Sequence, residues 1–276
     1  MEFQYTRSYI GNVKLVVFDW AGTVVDYGCQ APIRAFVQGF KDMGVAVSME
    51  SARGPMGMEK WAHIKAVTEL DEVKQAWRNV HKREVTDADI DAMFENFSKL
   101  LLDSIAAKSR LLPGVVNSIE ALRTEGIKIA GSTGYFTEAA DIVAECAAKE
   151  GYCPDFTTCA SNVPAGRPAP WMIYQAMQEL GVYPVEAVVN VGDTPVDMET
   201  ALNAGVWSVG VAATGNQMGL TEEEIEALDP KEYAMRLAKA RESLFKAGAH
   251  FVINTMEELP EVIDMINEYL VQGSKP

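Results

Sequence analysis

Basic residues, long apolar runs and paired cysteines are what this chain has little of. Its 276 residues include 24 Lys and Arg against 39 Asp and Glu, a formal net charge of −15. This balance disfavours sequence-independent nucleic-acid binding, which needs basic patches that neutralise phosphates. It also disfavours a surface that binds anionic lipid. An anionic small substrate stays compatible with it if a few cations are gathered locally.

Two further absences bear on the compartment. No run approaches the roughly 20 apolar residues of a membrane-spanning helix, and the first 15 residues contain no apolar stretch typical of a secretion signal. The four cysteines form no CxxC pair, so we expect free thiols in a cytoplasmic protein. The spacing of Cys153 and Cys159 gives only weak support to a zinc site completed by a distant histidine.

Short apolar strands alternate with helical patterns along most of the chain. Residues 14–18 form a compact apolar run without polar alternation, as expected of a strand covered on both faces. Residues 255–258 are typical of a capping box that opens a C-terminal helix. The alternation predicts an α/β fold, a doubly wound parallel sheet of Rossmann type. Further strand patterns lie near 127–131, 155–158, 187–193, 207–212 and 250–253.

One block interrupts this alternation. Residues 28–107 are dense in helical patterning and contain no convincing strand. We interpret them as an all-helical cap domain inserted into a core domain that consists of residues 1–27 and 108–276. A second helical stretch, over 221–246, is predicted to lie on the surface of the core.

Polar residues stand where several of the predicted strands end. Since ligands of an open parallel sheet bind beyond the carboxyl ends of its strands, we expect these side chains to converge. The residues at the strand ends, with one from a proline-flanked loop, are Asp19, Ser132, Thr133, Gly134, Arg167, Asp193 and Asp197.

Taken singly, each of these residues has an ordinary structural interpretation. An aspartate at a strand end is often a helix N-cap or a turn former, and Asp197 is also compatible with a helix-start acid. Together they bring carboxylates, hydroxyls and a cation to one edge. Carboxylates so close repel unless they share a cation, and a few hard oxygen ligands suit Mg²⁺. Hydroxyls and a cation beside a metal suit a phosphoryl group.

Four segments resemble, in order and separation, the motifs of the haloacid dehalogenase superfamily of phosphoryl-transfer enzymes. They are FDWAGT, GSTG, AGRPAP and VGDTPVD, and the match spans residues 14–211. The resemblance implies that Asp19 attacks phosphorus and forms an aspartyl-phosphate. The groups that it implies for Mg²⁺ are an Asp19 oxygen, the Ala21 carbonyl and Asp193, with Asp197 ordering the waters of the metal. Those that it implies for the phosphoryl oxygens are Arg167 and either Ser132 or Thr133, beside Gly134.

Ala21 departs from the pattern of most phosphatases and mutases of this superfamily. They carry a second aspartate there, which protonates a leaving oxygen and later deprotonates the attacking water. General acid–base catalysis is typically worth about 10²–10⁴-fold, and an enzyme that cleaves a P–O bond would lose it. An enzyme whose leaving group is a carbon atom, stabilised in another way, need not.

The predicted cap contains a second group of candidate residues. A glycine- and proline-containing loop within ARGPMGMEKWAHIK, residues 52–65, leads into a helix on which Lys60 and His63 share a face. A lysine in a cap–core cleft forms a Schiff base with a carbonyl substrate if desolvation or a nearby cation lowers its pKa. The ordinary alternatives are a solvated helix lysine and a packing histidine.

With Ala21, the segments PMGMEKWAH and AGRPAPWMIY resemble the phosphonoacetaldehyde hydrolase family. The resemblance implies that Lys60 condenses with the aldehyde of phosphonoacetaldehyde and that the imine accepts the electrons of the P–C bond when Asp19 attacks phosphorus. Acetaldehyde and phosphate would be the products, in 2-aminoethylphosphonate degradation. Met56 would assist near the imine, although a cap-interface methionine is more often packing. His63 would aid proton transfers.

Two alternatives stay open at this point. A phosphate-monoester phosphatase or phosphomutase on the same fold would carry an acid in place of Ala21 and make Lys60 dispensable. A non-catalytic phospholigand-binding protein would be expected to have lost at least one of Asp19, Asp193 and Lys60. The resemblance also implies a homodimer that forms through the cap. Candidate residues for its face, although more typical of a cap core, are Phe36, Phe40 and Met43.

Overall fold

The apolar run of residues 14–18 folds as a central strand of a parallel sheet. The computed structural model describes residues 8–276, so residues 1–7 of the predicted core domain lie outside the described residues. The strands are β1 Leu15–Phe18, β2 Lys128–Thr133, β3 Phe156–Cys159, β4 Val188–Gly192, β5 Trp207–Val211 and β6 Phe251–Ile253. They lie in the order β3-β2-β1-β4-β5-β6, and each neighbouring pair is parallel.

Burial explains why the central strands lack polar alternation. Every residue of β1, β4 and β5 is buried, because helices cover both faces of the sheet. Phe18 pairs with Gly131 on one side and with Val191 on the other, so the ends of β2, β1 and β4 lie level. The chain changes direction across the sheet between β1 and β4, and this switch point is where ligands of such folds bind.

Five helices form an insert between β1 and β2, and seven further helices belong to the rest of the described chain. Those of the insert are α1 Gln30–Asp42, α2 Met49–Arg53, α3 Lys60–Thr68, α4 Asp71–His81 and α5 Asp87–Lys108. The others are α6 Val115–Thr124, α7 Thr137–Lys149, α8 Trp171–Glu179, α9 Pro195–Ala204, α10 Glu222–Glu226, α11 Pro230–Lys246 and α12 Leu259–Val271. No helix of residues 8–276 has both the length and the apolar character that a membrane crossing requires.

The insert has an aromatic core of its own. Phe36 and Phe40 are buried, and the Phe36 ring stacks on His63 and on Phe97 at centroid distances of 3.8 and 4.3 Å. Met43 is half-buried. Phe36 and Phe40 therefore stabilise the insert from within, as the cap-core alternative predicts, and are not available for an exposed dimer face.

Two linkers that pair with each other connect the insert to the sheet. Val25 and Leu111 form an isolated antiparallel bridge, and the Leu112 amide donates to the Val24 carbonyl at 2.9 Å. In the first linker, Asp26 and Cys29 have left-handed φ angles of 57° and 53°. The first linker therefore contains two non-glycine residues in the left-handed backbone conformation, at the point where the chain leaves the sheet.

The predicted capping box at residues 255–258 is wrong. Thr255 makes no side-chain cap, a short 3₁₀ turn spans Met256–Glu258, and α12 begins only at Leu259. The Glu258 carboxylate accepts a hydrogen bond from the Asn254 side chain at 2.8 Å, so it does not reach back to the Thr255 amide. The helical interpretation of 221–246 is confirmed by α10 and α11.

Candidate active site

Three buried carboxylates meet at the switch point of the sheet. Asp19 directly follows β1, and its amide extends the ladder by donating to Val191 at 2.8 Å. Asp193 follows β4, and Asp197 lies in the first turn of α9. Carboxylate oxygens of the three lie within 4.8 Å of one another. The strand-end prediction for these three residues therefore places them together correctly.

The electrostatics of this trio fit a bound cation. Burial, with the charges of Asp19 and Asp197, raises the pKa of Asp193 well above its ordinary value. Burial raises the pKa of Asp197 to about 6, although the Arg167 guanidinium opposes the rise. The buried Oδ1 of Asp193 has no hydrogen-bond partner among the described residues. Like charges so close, with an orphaned oxygen, are the donor set of a hard divalent metal.

The Ala21 carbonyl faces the same space. Ala21 lines the cavity with Asp19 and Asp193, and its carbonyl oxygen accepts a hydrogen bond from the Cys29 thiol at 3.2 Å. The carbonyl is therefore close to the carboxylates, as the sequence predicts.

Arg167 connects the nucleophile candidate to the end of β2. Its Nη1 donates to Asp19 Oδ1 at 2.5 Å and lies 2.7 Å from Asp197 Oδ1. Its Nη2 donates to the carbonyl and the hydroxyl of Ser132 at 2.8 and 2.7 Å. Burial alone would lower the pKa of Arg167, but the two carboxylates raise it, so the guanidinium is a fixed positive charge in the site.

The end of β2 offers two hydroxyls that do different things. Ser132 is engaged with Arg167, whereas Thr133 lines the cavity and accepts a hydrogen bond from the Tyr135 amide at 3.2 Å. Gly134 lies against the insert, since a Cβ there would be 2.8 Å from the Met58 carbonyl oxygen. The sequence left Ser132 and Thr133 as alternatives, and of the two Thr133 is the one that lines the cavity.

Lys60 enters this cavity from the insert. It is the first residue of α3, whose N-cap Glu59 accepts hydrogen bonds from the amides of Trp61 and Ala62 at 2.9 and 3.0 Å. Lys60 is only 4% exposed, and its Nζ lies 5.3 Å from the centroid of the Tyr135 ring. Burial lowers the pKa of Lys60 to about 8, against the attraction of Asp19. The alternative of a solvated helix lysine is therefore wrong.

His63 is a buried, neutral neighbour of this lysine. Its Nε2 donates to the Ala52 carbonyl at 2.8 Å, and its Nδ1 has no partner among residues 8–276. Burial, with the positive charge of Lys60, lowers the pKa of His63 to about 3. Because its ring also stacks on Phe36, His63 packs the insert and still presents one free acceptor nitrogen. Met56 is buried and lines the cavity.

Comparisons with known proteins identify the family of this chain. A family model described as haloacid dehalogenase-like hydrolase matches residues 13–205. A phosphonoacetaldehyde hydrolase of Syntrophobacter fumaroxidans is 42% identical over 274 residues, 99% of each chain. One of Bacillus cereus is 44% identical over 257 residues, 93% of this chain and 97% of that one. The chain belongs to the phosphonoacetaldehyde hydrolase family of the haloacid dehalogenase-like hydrolases.

Solved structures give the same result for the fold. The crystal structure of a phosphonoacetaldehyde hydrolase-like protein of Oleispira antarctica superposes with a TM-score of 0.97 at 35% identity and covers both chains completely. A hydrolase of Pseudomonas syringae, 19% identical, has a TM-score of 0.68 over 92% of this chain. The second likeness concerns the fold alone. The α/β class and the helical insert predicted from the sequence are those of the family.

Cys29 and Tyr135 are among the cavity residues that the sequence analysis did not single out. The Cys29 thiol donates to the Ala21 carbonyl and, at 3.3 Å, to Asp193 Oδ2; burial and the Asp193 charge raise the pKa of this thiol, so it stays protonated. Tyr135 packs its ring against Lys60. The position of Tyr135 directly after GSTG was the only sequence signal for it. Cys29 gave none, because its contacts depend on the left-handed linker.

Proposed function

We propose that this chain hydrolyses the P–C bond of phosphonoacetaldehyde to acetaldehyde and phosphate. The observation that carries the proposal is the placement of Lys60, buried and with a lowered pKa, in one cavity with Asp19 and Ala21. The names of the curated relatives support the same reaction. The cavity has a volume of only about 20 Å³, about the space of one water molecule, so a small-molecule substrate would enter it after the insert moves away from the core.

Lys60 and Asp19 share the bond-breaking step. The neutral amine of Lys60 adds to the aldehyde carbon and loses water, which gives a protonated imine. The Asp19 carboxylate then attacks phosphorus, the P–C bond breaks, and its electron pair moves into the imine to give an enamine. Protonation of the enamine carbon and hydrolysis of the imine release acetaldehyde and restore Lys60. Water cleaves the aspartyl-phosphate to phosphate and restores Asp19.

The leaving carbon explains the alanine at position 21. The electron pair of the broken bond is taken up by nitrogen through the conjugated imine, so no alkoxide forms and no acid is needed to protonate one. Ala21 contributes its carbonyl and leaves out the carboxyl that P–O cleavage uses. This is the difference that separates the proposal from a monoester phosphatase or phosphomutase on the same fold.

The metal of this site is proposed to be Mg²⁺. Asp19, Asp193 and the Ala21 carbonyl would hold it, and Asp197 would order its waters. When bound, it neutralises the carboxylates and the phosphoryl oxygens that face them. The orphaned Oδ1 of Asp193 supports this assignment.

The remaining residues bind or shield the substrate. We assign the main phosphoryl contact to Thr133, with the Arg167 guanidinium and the backbone at Gly134 beside it, and we assign Ser132 to holding Arg167. Met56 excludes water from the imine. The positions of these groups around the cavity support the assignment. The residues whose roles are proposed in this way are Ser132, Thr133, Gly134, Arg167 and Met56.

His63 is proposed to orient a water that takes part in proton transfer. Its Nε2–H is held by Ala52 and its neutral Nδ1 is free to accept. An acceptor of low pKa cannot store a proton at neutral pH, so its part is to orient a water rather than to act as a general base. This narrows the role expected from the sequence.

The insert, residues 28–107, is proposed to be a mobile cap on a core of residues 1–27 and 108–276. Lys60 and Asp19 are both almost completely buried, so substrate reaches them only when cap and core separate. A homodimer through the cap remains our expectation, with a face other than Phe36 and Phe40. The free cysteines support the cytoplasm as the compartment.

Borohydride trapping tests the imine directly. The protein is incubated with phosphonoacetaldehyde, reduced with borohydride and digested, and the adduct is mapped by peptide mass. We expect a stable adduct on the peptide that contains Lys60. Lys60→Arg should keep the charge and the fold but abolish both adduct and P–C cleavage. Lys65→Arg, on the half-exposed side of the same helix, is the matched control and should form the adduct normally.

The same experiment distinguishes the proposed enzyme from a monoester phosphatase. If Lys60→Arg continues to release phosphate from phosphonoacetaldehyde, or if the reduced adduct maps elsewhere, the Schiff-base mechanism is wrong. Hydrolysis of a simple phosphate monoester at equal rates by wild type and Lys60→Arg, without P–C cleavage by either, would identify a monoester phosphatase.

A further inference from the structure

Arg53 joins the cap to the core, and the proposed mechanism leaves it without a role. It is the last residue of α2 and lies just before the loop that leads to Lys60. Its Nη1 donates to the Gly28 carbonyl at 2.8 Å and to Asn216 Oδ1 at 3.0 Å, and its Nη2 donates to the Gly219 carbonyl at 2.9 Å. Two of these acceptors belong to the core turn that follows β5, and the third belongs to the first linker.

The core turn contacts a carboxylate of the site. The Asn216 amide donates to Asp193 Oδ2 at 2.6 Å, and a Cβ at Gly215 would lie 2.5 Å from the Asp193 Cβ. The Asn216 side chain also donates back to the Arg53 carbonyl at 3.3 Å. Arg53 of the cap is therefore connected to Asp193 by two successive hydrogen bonds, both of which involve Asn216.

The acceptors of Arg53 select for the shape of its head group. All three acceptors are neutral oxygens, so positive charge alone does not account for the binding. A planar guanidinium with several N–H donors matches their arrangement better than a lysine ammonium would. Gly219 makes room for the fork, since its φ is +64° and a Cβ would lie 2.9 Å from Arg53 Nε. Gln30, the first residue of α1, donates to the same Gly219 carbonyl at 3.2 Å.

On the cap side, the backbone around Arg53 is tied to the catalytic loop. The Met56 amide donates to the Arg53 carbonyl at 3.0 Å, and the preceding carbonyl, that of Ala52, accepts from His63 at 2.8 Å. A displacement of Arg53 therefore displaces the segment that carries Met56 and Lys60.

We propose that Arg53 is a positioning residue that couples closure of the cap to the orientation of Asp193. In the closed state its guanidinium docks on residues 215–219 and fixes the turn that holds the Asp193 carboxylate. In the open state that turn loses its brace. The inference rests on the proposed function only in the roles given to Lys60 and Asp193.

Hydrogen exchange of Arg53→Met in the absence of substrate tests the coupling. We expect faster amide exchange, by about 10-fold, in the cap loop 54–60 and also in the core turn 212–220. Arg34→Met removes an exposed arginine of the same cap and should exchange like wild type. Because coupling is reciprocal, adding Mg²⁺ should slow exchange of 54–60 in wild type and leave it unchanged in Arg53→Met.

Kinetics supply a second readout. Arg53→Met should lower kcat/KM for phosphonoacetaldehyde by about 10–100-fold, the usual effect of removing a group that orients a metal ligand, while the borohydride adduct on Lys60 still forms. Arg53→Lys keeps the charge and loses the fork, so it should behave like Arg53→Met. If Arg53→Met fails to fold by thermal melting, Arg53→Lys is judged by the same exchange measurement.

Two outcomes would overturn the proposal. Faster exchange confined to 54–60, with 212–220 at the wild-type rate, would show that Arg53 stabilises the cap alone. Wild-type exchange rates in both segments would show that Arg53 does not couple the cap to the core turn. Failure of the wild type to cleave phosphonoacetaldehyde would remove the proposed function and leave the exchange result, which needs no substrate, unaffected.

Discussion

At the scale of single residues, burial of Lys60 favours its proposed chemistry but destabilises the folded state. A charged ammonium is costly to bury, and burial lowers the pKa of Lys60 from its ordinary value of 10.5 to about 8 in the folded protein. Below the folded pKa the lysine is charged in both states and the folded state bears the full desolvation cost. As pH rises from about 8 to 10.5, the folded state is neutral while the unfolded state still binds the proton, so this cost disappears.

We therefore predict that Lys60→Met is inactive and more stable. Its Tm at pH 7 should exceed that of wild type by on the order of 2–4 °C, and the difference should shrink as pH is raised above 8. Calorimetry of both proteins at several pH values measures this, with the half-exposed Lys65→Met as control. A lower Tm for Lys60→Met at pH 7 would contradict the desolvation account.

The residues of the site differ in how far the sequence predicts them. Asp19 and Asp193 were found because each directly follows an apolar strand, and strand ends are local features. The burial of Lys60 was not local, since it depends on how the cap rests on the core, and only the resemblance pointed to it. The choice between Ser132 and Thr133 needed the position of Arg167, which comes from a distant loop.

At the scale of elements, the strand patterns predicted the sheet to within a few residues. They succeeded because strands buried on both faces are continuous apolar runs with polar ends. The capping box at Thr255 failed for the opposite reason, because a contact of Glu258 with Asn254 replaced the expected one. Three other capping boxes do form, one of them at Thr194.

The loop before α3 is predicted to tolerate no side chain at Gly57. Its φ is +96°, and a Cβ would lie 2.4 Å from Thr194 Oγ1 of the core. Gly57→Ala should therefore push the cap away from the core and lower kcat/KM, by about 10²-fold if reacting groups shift by about 1 Å, with little loss of Tm.

Two alanine variants serve as controls for Gly57→Ala. Gly54 is in the same loop, with a nearest atom 3.6 Å from its Cβ position, and Gly181 has a φ of +64° with open space around it. Steady-state kinetics of Gly54→Ala and Gly181→Ala should stay near wild type. Equal losses in all three variants would mean that the approach of Gly57 to Thr194 is unimportant.

At the scale of the whole molecule, the closed cap is predicted to be unable to exchange substrate. A Cβ at Gly57 would lie 3.4 Å from the Thr194 Cβ, close to the separation of about 3.5–4.5 Å in disulfides. In a Gly57→Cys, Thr194→Cys double variant the Thr194 hydroxyl that blocks a Cβ at Gly57 is absent, and the two sulfurs should form a disulfide that keeps the cap shut. Oxidation should then lower turnover by at least about 10-fold relative to the same variant kept reduced.

Mass spectrometry of the oxidised double variant confirms the disulfide, and each single variant controls for pairing with the native cysteines. Restored turnover after addition of a reductant completes the test. Equal turnover in the oxidised and reduced states would show that substrate enters without cap opening. The sequence located the insert but not the residues that meet when it closes, such as Gly57 and Thr194, because contacts between segments distant in sequence leave no periodic pattern.

Lys60 and Asp19 stand on opposite sides of the boundary between insert and sheet. Under the proposed mechanism the aldehyde carbon is held by one unit and phosphorus by the other, so the bond to be broken spans that boundary. Each unit needs to recognise only half of the substrate. A molecule with an aldehyde but no phosphonate would interact only with the insert. A phosphate ester with no aldehyde would interact only with the unit that contains the sheet. Selectivity for the intact phosphonate would then arise from joining two incomplete recognition surfaces, neither of which is selective alone.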